Sequence, residues 1–363
     1  MEDFYGLTLS HLEAQIGALG KEKYRARQLF RWVYTLSNLD FSEMTNIPKG
    51  LRTVFSEMFS LATMPVAEER HSRDGSTKLV LAAKDGYVIE TVIMPEKNRV
   101  TLCVSTQIGC RMGCRFCVTG KIGFKRNLSA AEIVGQVITV REYLRKAGKS
   151  PVTNIVFMGM GEPMDNIDNV TTALDILKDQ AGLDLSYRKI TVSSVGLLDG
   201  LKTLDAKSAV LAISLNAADD EMRSMLMPIN RLYSIGKIMD FVRGFKGTKR
   251  TRNTFEYILI KGVNDSLNDA KRLADLLKDI KCKINLIPYN PSSHTEFERP
   301  ERQQVDRFHQ YLLDRYFTVI IRDSRGQDVG GACGQLGMGY LGDAASHGGT
   351  PRKKRTTSPE VTS

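Results

Sequence analysis

The stretch 109-GCRMGCRFC-117 places three cysteines within eight residues, directly after the apolar run 100-VTLCV-104. Its spacing, C-x3-C-x2-C, supplies three thiolates, whereas structural zinc sites close at four ligands. Ferredoxin-like clusters also need four cysteines, in a spacing that is absent here. Cys103 lies inside the apolar run and could become a fourth ligand only with strain. The spacing therefore favours an iron–sulfur cubane with one open iron, and structural zinc remains the alternative.

Beyond this stretch, short apolar runs alternate with helical patterns, which indicates a parallel sheet with helices outside it. The expected strands are 100–104, 154–158, 189–193, 209–214, 255–260 and 283–287, with a further strand at 317–323. The expected helices are 129–146, 167–179, 219–226, 234–244, 265–280 and 302–316. The fold class is therefore α/β, and six such units predict an open, partial (β/α)6 barrel with its site at the carboxyl ends of the strands.

The pattern changes along the chain and predicts four segments. Residues 1–65 show helical spacing and are expected to form a small N-terminal helical domain. Residues 66–95 contain short β-rich runs between turn signals, which predict a β-rich linker with an antiparallel patch. Residues 96–343 carry the strand–helix series. Residues 344–363 are rich in small, polar and basic residues and are expected to form a disordered tail.

Composition and charge narrow the class of protein. The chain has 363 residues and a formal net charge of +10, with basic groups such as 121-KIGFKR-126 and 248-TKRTR-252. Clustered cations favour a polyanionic partner, because they neutralise phosphates and release counterions. No apolar run is long enough to span a membrane, and the chain does not begin with a signal-peptide pattern. We expect a cytoplasmic protein without a membrane partner, in which the cysteine cluster forms a metal or redox site.

The three spaced cysteines, with Phe116 before the last of them, resemble the signature of the radical S-adenosylmethionine superfamily. The resemblance implies that Cys110, Cys114 and Cys117 hold a [4Fe–4S] cluster, whose open iron binds S-adenosylmethionine. The turn 158-MGMGEP-163 is similar to the superfamily motif that binds the amino group of this cofactor. The implied cofactor contacts are Gly161, Glu162, Ser193, Ser214, Leu215, Asn216 and Asn290. On pattern alone, each of these would be a helix cap or a turn residue.

A longer set of stretches resembles the dual-specificity ribosomal and transfer RNA adenine-C2 methyltransferases over residues 20–342. Among them are YRARQLFRWVY, CVSTQIGCRMGCRFCVTGKIGFKRNL, ISLNA and GACGQL. The resemblance implies methylation of C2 of an adenosine in the peptidyl-transferase region of 23S rRNA. A second implied target is the adenosine 3′ of the anticodon in some tRNAs. At position 216 many relatives have His where this chain has Asn, so a titrating role there is in doubt.

The same resemblance assigns the chemistry to two further cysteines and a carboxylate. Cys333 would carry the methyl group as S-methylcysteine. Cys103 would release the product through a transient disulfide with Cys333, and Glu90 would accept the C2 proton. Two S-adenosylmethionine molecules would be used per turnover, and an external reductant would serve the cluster and the disulfide. The N-terminal helical unit resembles the family's RNA-binding accessory domain, and we expect a monomer.

Two other functions remain open from the sequence. One is the related enzyme that methylates C8 of the same rRNA adenosine and confers antibiotic resistance, because it shares the cysteine machinery. The other is a zinc-dependent, non-enzymatic RNA-binding module. The loop that contains Lys121, Lys125 and Arg126 is expected to contact RNA phosphates in either case.

Overall fold

The computed structural model describes residues 1–207, 209–245 and 252–340. The tail predicted for 344–363 lies outside the described residues, as does most of the basic group at 248–252. No helix within the described ranges is long and apolar enough to cross a membrane.

The N-terminal unit packs three helices around an aromatic core. It contains β1 (Glu2–Asp3), α1 (Leu9–Ala18), α2 (Tyr24–Tyr34), α3 (Lys49–Met58) and β2 (Phe59–Ser60). One face of α2 is buried, because its apolar side chains recur at helical spacing, as at Phe30, Val33 and Tyr34. Phe4 packs against this face, with its ring centroid 5.7 Å from that of Tyr34. The helical unit expected at the N-terminus is therefore present.

All the remaining strands but two belong to one ten-stranded sheet. The twelve remaining strands are β3 (Val66–His71), β4 (Thr77–Ala82), β5 (Val88–Glu96), β6 (Arg99–Cys103), β7 (Gln107–Ile108), β8 (Arg126–Asn127), β9 (Asn154–Phe157), β10 (Ile190–Ser194), β11 (Val210–Ser214), β12 (Asn253–Leu259), β13 (Cys282–Pro288) and β14 (Thr318–Ile321). The sheet order is β14-β13-β12-β11-β10-β9-β6-β5-β4-β3, and β7 pairs separately with β8. Within the ten-stranded sheet, β6 and the strands from β9 to β14 run parallel, and β3 to β6 pair antiparallel.

Helices connect the parallel strands, as the alternating pattern predicted. They are α4 (Val118–Ile122), α5 (Ala130–Lys146), α6 (Ile167–Lys178), α7 (Leu198–Asp205), α8 (Asp220–Leu226), α9 (Ile235–Gly244), α10 (Leu267–Leu277) and α11 (Arg302–Leu313). The predicted α/β fold with a partial barrel is confirmed. The sequence pattern did not predict the short helix α4, nor did it predict α7. A glycine interrupts its buried face, where a Cβ on Gly200 would lie 2.6 Å from the Met164 carbonyl oxygen.

The segment expected to be a β-rich linker is continuous with the barrel sheet. Its last strand, β5, pairs with β6 in a register that sets Val92 opposite Cys103. Because side chains alternate along a strand, Glu90 and Val92 lie on the same face of the sheet as Cys103. The antiparallel strands therefore carry side chains to the interior of the barrel. The domain boundaries at residues 65, 95 and 343 stay a prediction.

Candidate active site

The three clustered cysteines lie in the loop between β7 and α4, beyond the carboxyl end of β6. Pairing of β7 with β8 closes this loop at its base. Gly109 begins the turn with a φ of 71°, and a Cβ there would lie 1.7 Å from the Gly123 carbonyl oxygen. Only glycine fits such a position. The chain therefore enters the cysteine loop through a turn that brings Cys110, Cys114 and Cys117 to one cavity.

The surroundings of these thiols fit a cluster held by three cysteines. Burial raises the pKa of all three thiols, that of Cys110 to about 12. Against this effect, backbone N–H groups of Gly120 and Thr119 donate to Cys117, and that of Met112 donates to Cys110. Such donors stabilise anionic sulfur, the form that ligates iron, and they tune iron–sulfur clusters.

Most of the expected cofactor contacts line the same cavity, which has an open volume of about 880 Å³. They follow the carboxyl ends of successive parallel strands, the edge where α/β folds bind ligands. Those that line it are Gly161, Glu162, Ser193, Ser214 and Asn216.

Two of the expected cofactor contacts, Leu215 and Asn290, do not line this cavity. The Leu215 side chain is buried, and its carbonyl oxygen accepts a hydrogen bond from Arg223 Nε at 3.0 Å. The Asn290 side-chain amide donates to the Cys333 carbonyl oxygen at 3.1 Å and to Ser324 Oγ at 2.8 Å. Asn290 therefore supports the loop that carries Cys333.

Glu162 is the buried carboxylate of this cavity. It accepts hydrogen bonds from the backbone N–H groups of Met164, at 3.1 Å, and Val195, at 3.0 Å. Burial nevertheless raises its pKa to about 7, because removal of water outweighs these donors. A cationic group placed beside it would favour the charged form, so the position suits recognition of an amino group.

Asn216 occupies a position that favours its residue type. Its φ is 59°, in the left-handed region where Asn is among the few tolerated residues. Its Oδ1 accepts from the Ile258 N–H at 3.0 Å, and its Nδ2 points to Met227 Sδ at 3.3 Å. The side chain is thus held by two neighbouring segments at the cavity wall.

Cys333 lies at the junction of two cavities. The first contains the three clustered cysteines. The second, with an open volume of about 2020 Å³, is lined by Cys103 and by the inward-facing residues of the parallel strands. Cys333, Met158 and Leu336 line both. The expected pair, 230 positions apart in the sequence, is therefore brought to one space, and both cysteines are free thiols.

An ion pair between the buried Glu256 and the half-buried Arg322 separates the two cavities, and the sequence pattern did not single it out. Glu256, in β12, accepts from Ser193 Oγ at 3.1 Å, and its other oxygen lies 3.8 Å from Arg322 Nη1. Burial raises the pKa of the Cys333 thiol and raises that of Cys103 to about 12, while the Arg322 charge lowers both. Arg322 is therefore the cation that favours the thiolate form of either cysteine.

Glu90 lies beneath the Cys333 loop and is not among the lining residues of either cavity. Its Oε2 accepts from the Gly337 N–H at 2.9 Å and lies 3.5 Å from Lys78 Nζ. Lys78 Nζ also donates to the Gly330 carbonyl oxygen at 3.4 Å. This buried pair therefore holds both ends of the segment 330–337, which carries Cys333.

Comparison with known proteins settles the family. Residues 2–61 match the model described as ribosomal RNA large subunit methyltransferase N-terminal domain, and residues 104–277 match the radical SAM superfamily. The chain is 48% identical to a dual-specificity RNA methyltransferase RlmN from Geobacter sulfurreducens, over 93% of this chain and 92% of that protein. The corresponding RlmN from Geotalea uraniireducens is 44% identical, over 92% and 96%. The chain belongs to the RlmN family.

A solved structure agrees with this family. The crystal structure of a radical SAM methyltransferase from Sphaerobacter thermophilus superposes with a TM-score of 0.87 and 42% identity. The match covers 92% of this chain and 99% of that one. Radical SAM proteins use a [4Fe–4S] cluster with three cysteine ligands together with S-adenosylmethionine, and this RlmN-family chain has its three cysteines in one cavity.

One more buried residue of this RlmN-family site was missed by sequence reasoning. Arg223, in α8, is fully buried and donates to the carbonyl oxygens of Leu215 and Val195, at 3.0 and 2.6 Å. It also donates to Asn230 Oδ1 at 2.8 Å. A single guanidinium thus ties the loops after β10 and β11 together, and nothing in its local sequence distinguishes it from a solvent-exposed helix residue.

Proposed function

We propose that this chain methylates C2 of an adenosine in the peptidyl-transferase region of 23S rRNA, using a methyl group carried by Cys333. We also infer the adenosine 3′ of the anticodon in some tRNAs as a substrate. The observation that carries the proposal is the position of Cys333 between a cavity with three clustered cysteines and a cavity with Cys103. The relatives named as dual-specificity RNA methyltransferases support the same reaction.

The chemistry explains why two separate cysteines are needed. C2 of adenine lies between two electron-withdrawing ring nitrogens and is a poor nucleophile, so direct transfer of a methyl cation should fail. When bound, the cluster and S-adenosylmethionine supply the methyl group and a radical that activates it. Cys333 holds the carbon that becomes bonded to C2, and Arg322 favours the thiolate that accepts it.

Release of the product then depends on Glu90 and Cys103. In the proposal, Glu90 accepts the C2 proton, and the Cys103 thiolate attacks the Cys333 sulfur. The bond from that sulfur to the carbon breaks with its electron pair on the carbon, which takes up a proton to complete the methyl group. The same step forms a Cys103–Cys333 disulfide, which an external thiol reduces. Because Glu90 is held by Lys78 and the Gly337 N–H, the segment 330–337 must shift to bring its carboxylate to the substrate. We also infer a cytoplasmic location and an external reductant, because both suit thiols that must be regenerated after each turnover. We further infer that the chain acts as a monomer.

The reaction outcome is tested by mass spectrometry of 23S rRNA and tRNA nucleosides from a strain that lacks this gene. We expect C2-methyladenosine to disappear and to return when the chain is expressed. Persistence of C2-methyladenosine in the deletion strain would contradict the proposal, and C8-methyladenosine as the restored product would instead assign the resistance reaction.

The roles of the cysteines have their own test. We expect Cys103→Ala to trap RNA covalently on Cys333, because the bond to the carbon can no longer be released. The cross-link is read as a shifted band on a denaturing gel that disappears after RNase treatment. Cys282→Ala is the matched control, because Cys282 is also buried but lies at the start of β13 and lines neither cavity of the site. Normal turnover by Cys103→Ala without a cross-link would overturn the assignment.

A further inference from the structure

The second cavity opens at the amino ends of the parallel strands, opposite the cysteine loop. Its inner wall includes Cys103, at the carboxyl end of β6, and its rim includes Arg99, at the amino end of the same strand. Cys103 lies four steps along the strand from Arg99, which corresponds to a depth of about 13 Å. Arg99 is exposed and Cys103 is buried. The cavity is therefore a passage from solvent to the thiol that is expected to release the product.

The rim of this passage is strongly basic. Seven cations and two carboxylates line the cavity. The exposed cations at the amino ends of the strands are Arg99, Arg188, Lys189, Arg252 and Lys283. Arg99 is paired with Glu96 at 2.8 Å, but no ion pair among the described residues joins Lys189 or Lys283 to a carboxylate. Uncompensated cations around a concave opening concentrate polyanions.

An aromatic side chain extends this surface. A neighbouring groove shares Arg252 with the passage and is lined by Lys278, Lys281, Arg315 and Tyr316. Tyr316 is 98% exposed. Cations combined with an exposed aromatic ring are the means by which proteins hold single-stranded nucleic acid, through phosphate contacts and base stacking.

By contrast, the loop after the cysteine cluster offers less free charge. Arg126 pairs there with Asp85 and with Glu132, at 2.5 and 2.7 Å. Of the three cations in this loop that were predicted to contact RNA phosphates, only Lys121 and Lys125 are exposed. The first cavity, which this loop borders, also holds the cysteines and the residues proposed to bind the cofactor.

We propose that the RNA strand lies across the basic rim at the amino ends of the strands, and that the target adenine is flipped through this passage to Cys333. This inference rests on the proposed function and assigns the face by which its substrate enters. The cofactors and the base would then approach the Cys333 sulfur from opposite cavities. A flipped nucleotide suits this geometry, because its base reaches inward while its phosphates stay at the rim.

The test measures binding of an in vitro transcribed 23S rRNA hairpin, with the target adenosine in its single-stranded part, to the cluster-loaded enzyme. We expect Lys189→Gln and Lys283→Gln each to weaken binding about fivefold at 0.1 M salt and to lower the slope of log K against log[salt] by about 0.7. Tyr316→Ala should weaken binding by about fivefold or more with an unchanged slope, because it removes stacking and no charge. Fluorescence anisotropy across a salt series reads both quantities.

Matched variants separate charge from folding. Lys189→Arg with Lys283→Arg should retain the wild-type slope, and so should Lys237→Gln, an exposed lysine on α9 outside both cavities. Equal iron content and melting temperature show that each variant is folded. The inference is overturned if the double variant Lys189→Gln/Lys283→Gln keeps the wild-type slope, or if Lys121→Gln/Lys125→Gln alone lowers it. Absence of methylation by the wild-type enzyme on this RNA would instead count against the proposed function itself.

Discussion

Replacing Lys78 by Met should destabilise this protein strongly, although the residue lies far from the cysteine cluster in the sequence. The side chains of Lys78 and Glu90 are only 2% and 3% exposed, and their charged atoms are 3.5 Å apart. Removing one partner of such a pair leaves an uncompensated buried charge, which costs about 3–5 kcal/mol. The Gly337 N–H still donates to Glu90, at 2.9 Å, so we expect a value near the lower limit, about 3 kcal/mol.

A second substitution separates the charge from the packing. Glu90→Gln added to Lys78→Met removes the orphaned charge, so the double variant should recover more than half of the lost stability. Lys84→Met is the control. Lys84 forms an exposed pair with Asp3 at 2.7 Å, and we expect its loss to cost less than about 1 kcal/mol.

The assay is the midpoint of urea unfolding of the three variants and the wild type, followed by circular dichroism at one pH. Limited proteolysis within 330–337 adds a local readout, because Lys78 also holds the Gly330 carbonyl oxygen and cleavage there should accelerate. A Lys78→Met variant that is no less stable than Lys84→Met would contradict the stabilising role of the buried pair. A double variant as unstable as Lys78→Met alone would contradict the assignment of the loss to an orphaned Glu90 charge.

Two further predictions concern the first cavity. Burial raises the pKa of Glu162 to about 7, so the cluster-free protein should lose up to about 3 kcal/mol of stability as the pH rises from about 4 through 7. Glu162→Gln should flatten this dependence in thermal unfolding between pH 5 and 8, and an equal slope in both proteins would contradict the buried position. Cys117→Ala should abolish the brown colour and the iron content, about four per chain, of an anaerobic preparation. Cys282→Ala should keep both, and zinc in place of iron in the wild type would support the RNA-binding module.

The strand–helix series could be predicted because each element has a local pattern. Apolar runs of four to seven residues separated by helical spacing predict a parallel sheet wherever they occur. The helix α7 was missed because its signal is weakened by Gly200, which is required by a close approach to Met164. The extent of the sheet was also not predicted, since hydrogen bonding between β5 and β6 follows from register and not from the composition of either strand.

The cysteine loop was predictable for the same reason. Its three thiols are contiguous in sequence, so their spacing limits the kind of metal group that they can hold. The position of Glu90 was not predictable in this way. The sequence assigned it by resemblance as a proton acceptor, but the distance to Lys78 and to the Cys333 loop depends on how β4, β5 and the last loop pack together.

The fold class and the family can be read from the sequence alone, because they rest on patterns and motifs that are local along the chain. The three cluster ligands are a prediction from the same kind of local spacing. Which distant groups meet depends on the tertiary structure. It brings Cys103 and Cys333 to one space, sets Glu256 against Arg322 between two cavities, and collects the basic rim from the amino ends of separate strands. The physical reason is that these contacts depend on sheet order and strand register, which no single segment encodes.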